Sequence, residues 1–322
     1  MSTSIGARCP GPGGERLWAV VLAGGEGVRL RPLTRRLYGE DRPKQFAALL
    51  GSRSLLRQTL DRVALAVPEE QTVVVTRRAH ARYAAKEVES SKRLVVLSQP
   101  ADRGTAAAIL FAAHWIQWLD PGAIVAVFPA DHFIAEEATF MGHTGEVAQG
   151  IARSGSDVVL LGAPPTSPDT EYGWIEPGED RGWSAGRSRV RAVRRFLEKP
   201  SGETARACQE QGWLWNTLVI VARASALIDV GRRCLPELSD RLEHIRPFVR
   251  TPHEGWAIEQ AYALAPKASF SRAVLEQVPT TFAVSHLPAV TWSDWGTPER
   301  VIESFRWLGV DPPWLDTYHR SA

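Results

Sequence analysis

The segment Ala23-Gly24-Gly25-Glu26-Gly27-Val28-Arg29-Leu30 places three glycines within four positions, directly after an apolar run. Lacking Cβ atoms, these residues can turn backbone N–H groups toward an anion, although taken alone they also suit a plain Gly-rich turn. Two other phosphate loops do not fit. A dinucleotide fingerprint requires a third glycine where Leu30 stands, and a Walker loop requires a Gly-Lys-Ser/Thr ending that is absent. The loop instead carries Arg29, a permanent cation whose forked donors match phosphate oxygens. Further on, Arg42-Pro43-Lys44-Gln45-Phe46 adds a second cation, Lys44, on a Pro-restricted segment. Chemistry on phosphate oxygens calls for a hard divalent cation such as Mg²⁺, held by one or two carboxylates together with phosphate oxygens and water. Asp131, in Phe128-Pro129-Ala130-Asp131-His132, follows a buried-looking run, and Asp294, in Thr291-Trp292-Ser293-Asp294-Trp295-Gly296, is a second acidic position. Each aspartate taken alone also suits a helix cap.

These groups need a scaffold that brings them to one edge. Short β-branched or apolar runs at residues 18–23, 72–76, 94–97, 124–128 and 158–162 read as strands buried on both faces. Helical spacing at Leu55, Leu56, Leu60, Val63 and Val67 stops at Pro68, and residues 106–119 read as a helix ending at Asp120-Pro121-Gly122. This alternation predicts an α/β fold, Rossmann-like, with a mostly parallel mixed sheet flanked by helices. Such sheets place ligands at the carboxyl edge of their strands, where the glycine loop and Asp131 would both emerge. After Gly162 the rhythm changes to a β-hairpin insertion, with residues 172–176 and 189–198 flanking a Gly-rich loop at 178–186. Helices are expected around 201–211, 225–234 and 254–264, a strand near 282–287 and a last helix over 297–308. Residues 1–16, rich in Gly, Pro and Ser, are expected to be a disordered leader. The domain is expected over 17–310, with 236–310 packed on its core, and 311–322 as a tail.

Bulk properties narrow the function classes. With 38 basic and 36 acidic residues among 322, the net charge of +2 supplies no global field for a polyanion, so nucleic acid is not an expected partner. Cys9, Cys208 and Cys234 are odd in number and far apart, which suggests neither a disulfide framework nor a zinc site and points to a reducing, cytoplasmic setting. No apolar run approaches the ~20 residues that span a bilayer, so no membrane partner is expected.

The loop GGxGxRLxPLT followed by PKQF resembles the sugar-phosphate nucleotidyltransferase superfamily, and within it the mannose-1-phosphate guanylyltransferase branch. The resemblance covers about residues 18–306 and implies transfer of a nucleotide to a sugar 1-phosphate with release of pyrophosphate. It assigns Ala23, Gly24, Gly25, Glu26 and Gly27 to the triphosphate, with Arg29 and Lys44 as catalytic cations. Asp131 and Asp294 would hold Mg²⁺, Asp131 also meeting the sugar phosphate. Gln99, Gly104 and Thr105 would meet the base. The sugar phosphate would lie against Gly173, Glu198, Lys199 and Asn216. The implied partners are a nucleoside triphosphate, with GTP favoured, a sugar 1-phosphate, and a second copy of the chain as a homodimer. Uridylyl or thymidylyl transfer to glucose 1-phosphate is the alternative within the class. A regulatory relative that binds nucleotide sugar without turnover is the alternative outside it. Two departures bear on sugar choice: Trp215-Asn216-Thr217-Leu218 replaces the family's WNSG, and Ser269-Phe270-Ser271-Arg272 lacks the aspartate of Ser-Ile-Asp-Tyr. His132 reads as positional, because a sugar phosphate is already mostly dianionic at neutral pH.

Overall fold

A computed structural model describes residues 16–89, 91, 93–155 and 158–320. The apolar runs form strands β1 (Leu17–Leu22), β2 (Thr72–Arg77), β3 (Val95–Gln99), β4 (Ile124–Pro129) and β6 (Val158–Ala163), with a two-residue β5 (Phe133–Ile134) between the last two. Later strands are β7 (Gly173–Ala185), β8 (Ser188–Glu198), β9 (Leu214–Arg223), β10 (Phe282–His286) and β11 (Trp292–Ser293). One sheet takes nine of them in the order β3-β2-β1-β4-β9-β6-β10-β8-β7, and β5 pairs with β11 apart from it. The pairing directions make seven of the nine strands run one way, with β8 and β9 opposed. The sheet is therefore mixed and mostly parallel, as the alternation of patterns predicts.

Burial on both faces explains the near-continuous apolar strands. Along β4, Val125 and Val127 face one core, while Ile124, Ala126 and Phe128 face the other. The first core is closed by α4 (Gly104–Leu119), α7 (Ala224–Cys234), α8 (Pro236–Glu243) and α9 (Glu254–Ala263). The second is closed by α2 (Leu55–Val63), α3 (Ala81–Val88), α5 (Glu137–Ser154) and α6 (Gly202–Glu210). A smaller third cluster joins α1 (Arg31–Tyr38) and α10 (Pro298–Leu308) around buried Trp295.

Three details depart from the expected element pattern. β9, which the sequence reading missed, runs antiparallel through the middle of the sheet between β4 and β6. The loop expected at 178–186 is instead strand up to Ala185, pairing with β8 through three register shifts and turning at Gly186, whose φ is +52°. Rather than standing apart as an insertion, this hairpin continues the main sheet, through β8 to β10 and through β7 to β9.

The segment 311–322 contains α11 (Pro313–Arg320), whose Trp314 indole donates to the Leu49 carbonyl at 2.9 Å. Of the expected leader, all but Arg16 lies outside the described residues; Arg16 ion-pairs with Asp120 at 3.1 Å. No helix among the described residues is long and apolar enough to cross a membrane.

Two histidines are sealed between layers. His143 on α5 meets Ser285 of β10 at 3.1 Å, and burial lowers its pKa to about 4. His114 on α4 is fully buried and is pushed the same way by desolvation, against the pull of Glu243. Both are neutral in the fold, yet would take protons in the unfolded chain below about pH 6.5. Their contribution to stability is therefore complete above that pH and is lost as pH falls toward 4. Thermal melting should show a Tm that is flat above pH 6.5 and declines below it, with a smaller decline in His143→Gln. A Tm that is constant from pH 7 to 4.5 would contradict this.

Candidate active site

β1 and β4 run parallel, with Leu22 opposite Pro129, so the glycine loop and Asp131 leave the sheet side by side. The loop is pinned from below. Buried Gln45 donates through its amide to the carbonyls of Ala23 and Gly25, both at 2.9 Å. Gly27 sits at φ +59°, and a Cβ there would lie 2.9 Å from both the Cβ and the backbone nitrogen of Lys44. Only glycine lets the loop press on Lys44 this closely. Glu26 faces two cations, Arg77 and, at 2.5 Å, Arg31. Burial, the largest single influence, would raise its carboxyl, but Arg77, Arg31 and His80 together keep it below the usual range.

Lys44 is only 5% exposed, and its ammonium meets Asp131 at 2.9 Å together with the carbonyls of Asp294 and, at 3.3 Å, Trp295. Asp294 reaches this point because β11 pairs with β5, setting Ser293 against Phe133. Its Oδ1 accepts from Tyr172 Oη, Arg300 and its own loop's Gly296 N–H, each at 2.9 Å. Its Oδ2 has Arg29 at 3.7 Å. Burial, the largest single influence, pushes both aspartates up, yet Lys44 and the other groups around each, Arg300 and Tyr172 among them for Asp294, together hold both below the ordinary range as carboxylates. His132, desolvated beside them, is lowered to about 4 and is neutral. Its Nδ1 accepts from the Trp292 indole at 3.3 Å.

A pocket of about 420 Å³ opens over this centre. Its lining includes Gly24, Gly25, Glu26 and Arg29 of the loop, Lys44, Asp131 and Asp294, and Gln99, Gly104 and Thr105. Ala23 and Gly27 support it from behind, Ala23 through the carbonyl that Gln45 holds. Buried Gln99, whose amide lies beside Gly24, accepts from Tyr262 Oη at 3.1 Å, and Thr105 Oγ1 accepts from the Phe270 N–H at 2.9 Å. Gly104 opens α4 at φ +79°, where a Cβ would collide with the Ala268 carbonyl at 2.2 Å.

The residues expected on the sugar side form an adjoining cluster. A Cβ on Gly173 would lie 2.9 Å from Glu198 Oε2 and 3.3 Å from Asn216 Cβ. Burial raises the Glu198 carboxyl, partly offset by Lys199, and the Glu198 N–H donates to Glu276 at 2.7 Å. Lys199 meets Glu171 at 3.3 Å, and Glu171 in turn holds Arg29 at 2.8 Å, so one carboxylate joins the cations of both clusters.

The donor set suits a hard divalent ion. Asp294 Oδ1 is saturated, leaving Oδ2 facing the site, while Asp131 uses Oδ2 on Lys44 and has the neutral His132 ring 3.9 Å from its Oδ1. Two single-oxygen ligands match a cation that takes its remaining positions from phosphate and water. No cluster of three or more His, Cys, Asp or Glu side chains able to hold a metal occurs among the described residues.

Sequence reasoning missed the groups that orient Asp294. Arg300 stacks on Tyr172 at 4.4 Å and also bonds Asp169, making an Asp169-Arg300-Asp294 chain. It missed Arg77 in the pocket lining as well. Their spacing offered no signal, although Tyr172 and Glu171 stand in the segment already singled out at Gly173.

The contrast between neighbouring glycines yields a test. Gly27→Ala should cost about 1–2 kcal/mol, as expected for a left-handed non-Gly residue, and lower the urea midpoint. Gly25→Ala, whose Cβ would meet nothing within 4 Å, should leave the midpoint unchanged. Equal midpoints for the two variants would refute the close packing of loop on Lys44.

Comparison with known proteins places this geometry in a family. The model for "Nucleotidyl transferase" matches residues 18–308. The mannose-1-phosphate guanylyltransferase of Escherichia coli (strain K12) is 33% identical over 291 residues, covering 88% of this chain and 58% of that protein. The xanthan biosynthesis protein XanB of Xanthomonas campestris pv. campestris (strain B100) is 32% identical over 282 residues, covering 86% and 57%. The chain thus spans a little over half the length of these curated relatives. A solved protein of Thermus thermophilus, described as a mannose-1-phosphate geranyltransferase, superposes with TM-score 0.76 at 30% identity, covering 89% of this chain and 79% of that one. From the glycine loop to α10, the chain belongs to the nucleotidyl transferase family.

Proposed function

We propose that this chain joins a sugar 1-phosphate, mannose 1-phosphate, to GTP in the cytoplasm, giving a nucleoside diphosphate sugar and pyrophosphate, with Mg²⁺ as the metal. The observation that carries the reading is Lys44, held between Asp131 and the Asp294 loop directly beneath the glycine turn. A nucleotide-binding relative without turnover would have no need of this buried ionic centre, and every member of it is in place. The choice of GTP and mannose 1-phosphate leans on the guanylyltransferase relative.

In the reaction, a non-bridging oxygen of the sugar phosphate attacks the α-phosphorus. The new O–P bond forms as the bond from the α-phosphorus to the α,β-bridging oxygen breaks, and that electron pair leaves with pyrophosphate. No proton has to move, since the attacking phosphate is mostly dianionic at neutral pH. The neutral His132 therefore has no general-base step to perform. The protein's part is alignment and charge neutralisation in a partly dry site. Loop N–H groups and Arg29 face the triphosphate, Lys44 faces the reacting phosphates, and Lys199 faces the phosphate of the sugar. Held by Asp131 and Asp294, Mg²⁺ would neutralise charge on the phosphoryl oxygens.

Pyrophosphate release should be measured for GTP, UTP, dTTP, ATP and CTP against mannose, glucose and N-acetylglucosamine 1-phosphates. GTP with mannose 1-phosphate should give the highest kcat/KM. Asp131→Ala and Asp294→Ala should each lower kcat by about 10²–10³-fold or more, measured at a temperature where circular dichroism shows each variant folded, and chelation should stop release until Mg²⁺ is restored. Undiminished release in chelator, or from Asp131→Ala, would sink this account.

A further inference from the structure

Four described residues other than glycine have positive φ, and three of them lie at this site: Lys199 at +53°, Trp295 at +43° and Leu218 at +55°. Leu218 is the unexpected one. It sits within β9, where a left-handed backbone interrupts the strand at the register shift between Leu160 and Gly162. Glycine takes this conformation freely, whereas a Cβ strains it. The neighbours enforce it. Asn216 Oδ1 accepts from the Leu218 N–H at 3.1 Å, while Thr217 Oγ1 donates to the Leu161 carbonyl at 2.6 Å and accepts from the Val219 N–H at 3.2 Å. A branched side chain kept on such a backbone points to a role for the side chain.

Its position says which role. Leu218 lines the pocket beside Leu22, Ala108 and Pro129. In the sheet order β3-β2-β1-β4-β9, Gln99 ends the strand on the far side of β1, whereas Leu218 lies beyond β4 on the opposite flank. Two residues before it, Asn216 packs against Gly173, which packs against Glu198. Leu218 thus stands where the pocket meets the sugar-side cluster.

We propose that Leu218 sets acceptor size. Its isobutyl group fills the junction between the two clusters and restricts the acceptor to a compact hexose 1-phosphate, excluding sugars with an N-acyl substituent. This inference rests on the functional reading above, and its test separates the two. kcat/KM would be measured with GTP for the preferred hexose 1-phosphate and for N-acetylglucosamine 1-phosphate in the wild type, Leu218→Ala and Leu218→Gly. The wild type should favour the hexose by about 10²-fold, the scale on which pocket fit discriminates. Both variants should narrow that ratio at least about tenfold. Leu218→Gly should also melt above Leu218→Ala, because only glycine relieves the backbone, which guards the experiment against misfolding. An unchanged ratio in both variants, with the wild type turning over hexose 1-phosphate, would overturn the role of Leu218 alone. Wild-type protein inert with every sugar 1-phosphate would overturn the functional reading, and this inference with it.

Discussion

The buried ammonium of Lys44 is the constraint around which the site is arranged. A charge taken out of water is tolerated only when nearby oxygens replace its hydration. Here those oxygens come from two places in the chain: the Asp131 carboxylate after β4, and the carbonyls of Asp294 and Trp295 after β11. Gly27 closes over the same side chain from the loop after β1. Meeting the demands of one cation thus assembles the phosphate loop, the first carboxylate and the second.

The surroundings keep this arrangement stiff. Trp295, fully buried and at φ +43°, stacks on Phe133 with ring centres 4.7 Å apart and planes within 3°. That stack, with the β5–β11 pairing beneath it, holds the Asp294 loop against the end of β4. Arg300 and Tyr172 then orient the Asp294 carboxylate so that one oxygen is consumed by the scaffold and the other faces the pocket. Ionisation of both aspartates follows from the same geometry, since the cations outweigh the cost of burial.

The two substrate clusters are joined by charge as well as by the sheet. Glu171 bridges Arg29 and Lys199, so one exposed carboxylate serves a cation of each cluster. β9 supplies the covalent link between the clusters, with Asn216 on one side and Leu218 at the junction.

Much of this was legible in the sequence because it is written locally. Glycines at 24, 25 and 27 with Arg29 and Lys44 suggest an anion site from backbone freedom and charge alone, and the family resemblance is what makes it a triphosphate site. Continuous apolar runs betray strands covered on both faces, and Asp131 follows such a run directly. Other features depended on pairings between distant residues. The strand character of β9 was masked by its polar Asn216 and Thr217, whose hydrogen bonds stabilise a bulge visible only in the sheet. Arg300 and Asp169 acquired meaning only when Asp294, lying 122 residues after Tyr172, folded back beside them, with Arg300 between the two aspartates. The left-handed backbone at Leu218 contradicts what its residue type favours, and the neighbours of β9 impose it. The sequence by itself determined which groups carry charge to the site; the tertiary structure decided how they are aimed, because aim is set by contacts across more than a hundred residues rather than by local residue type.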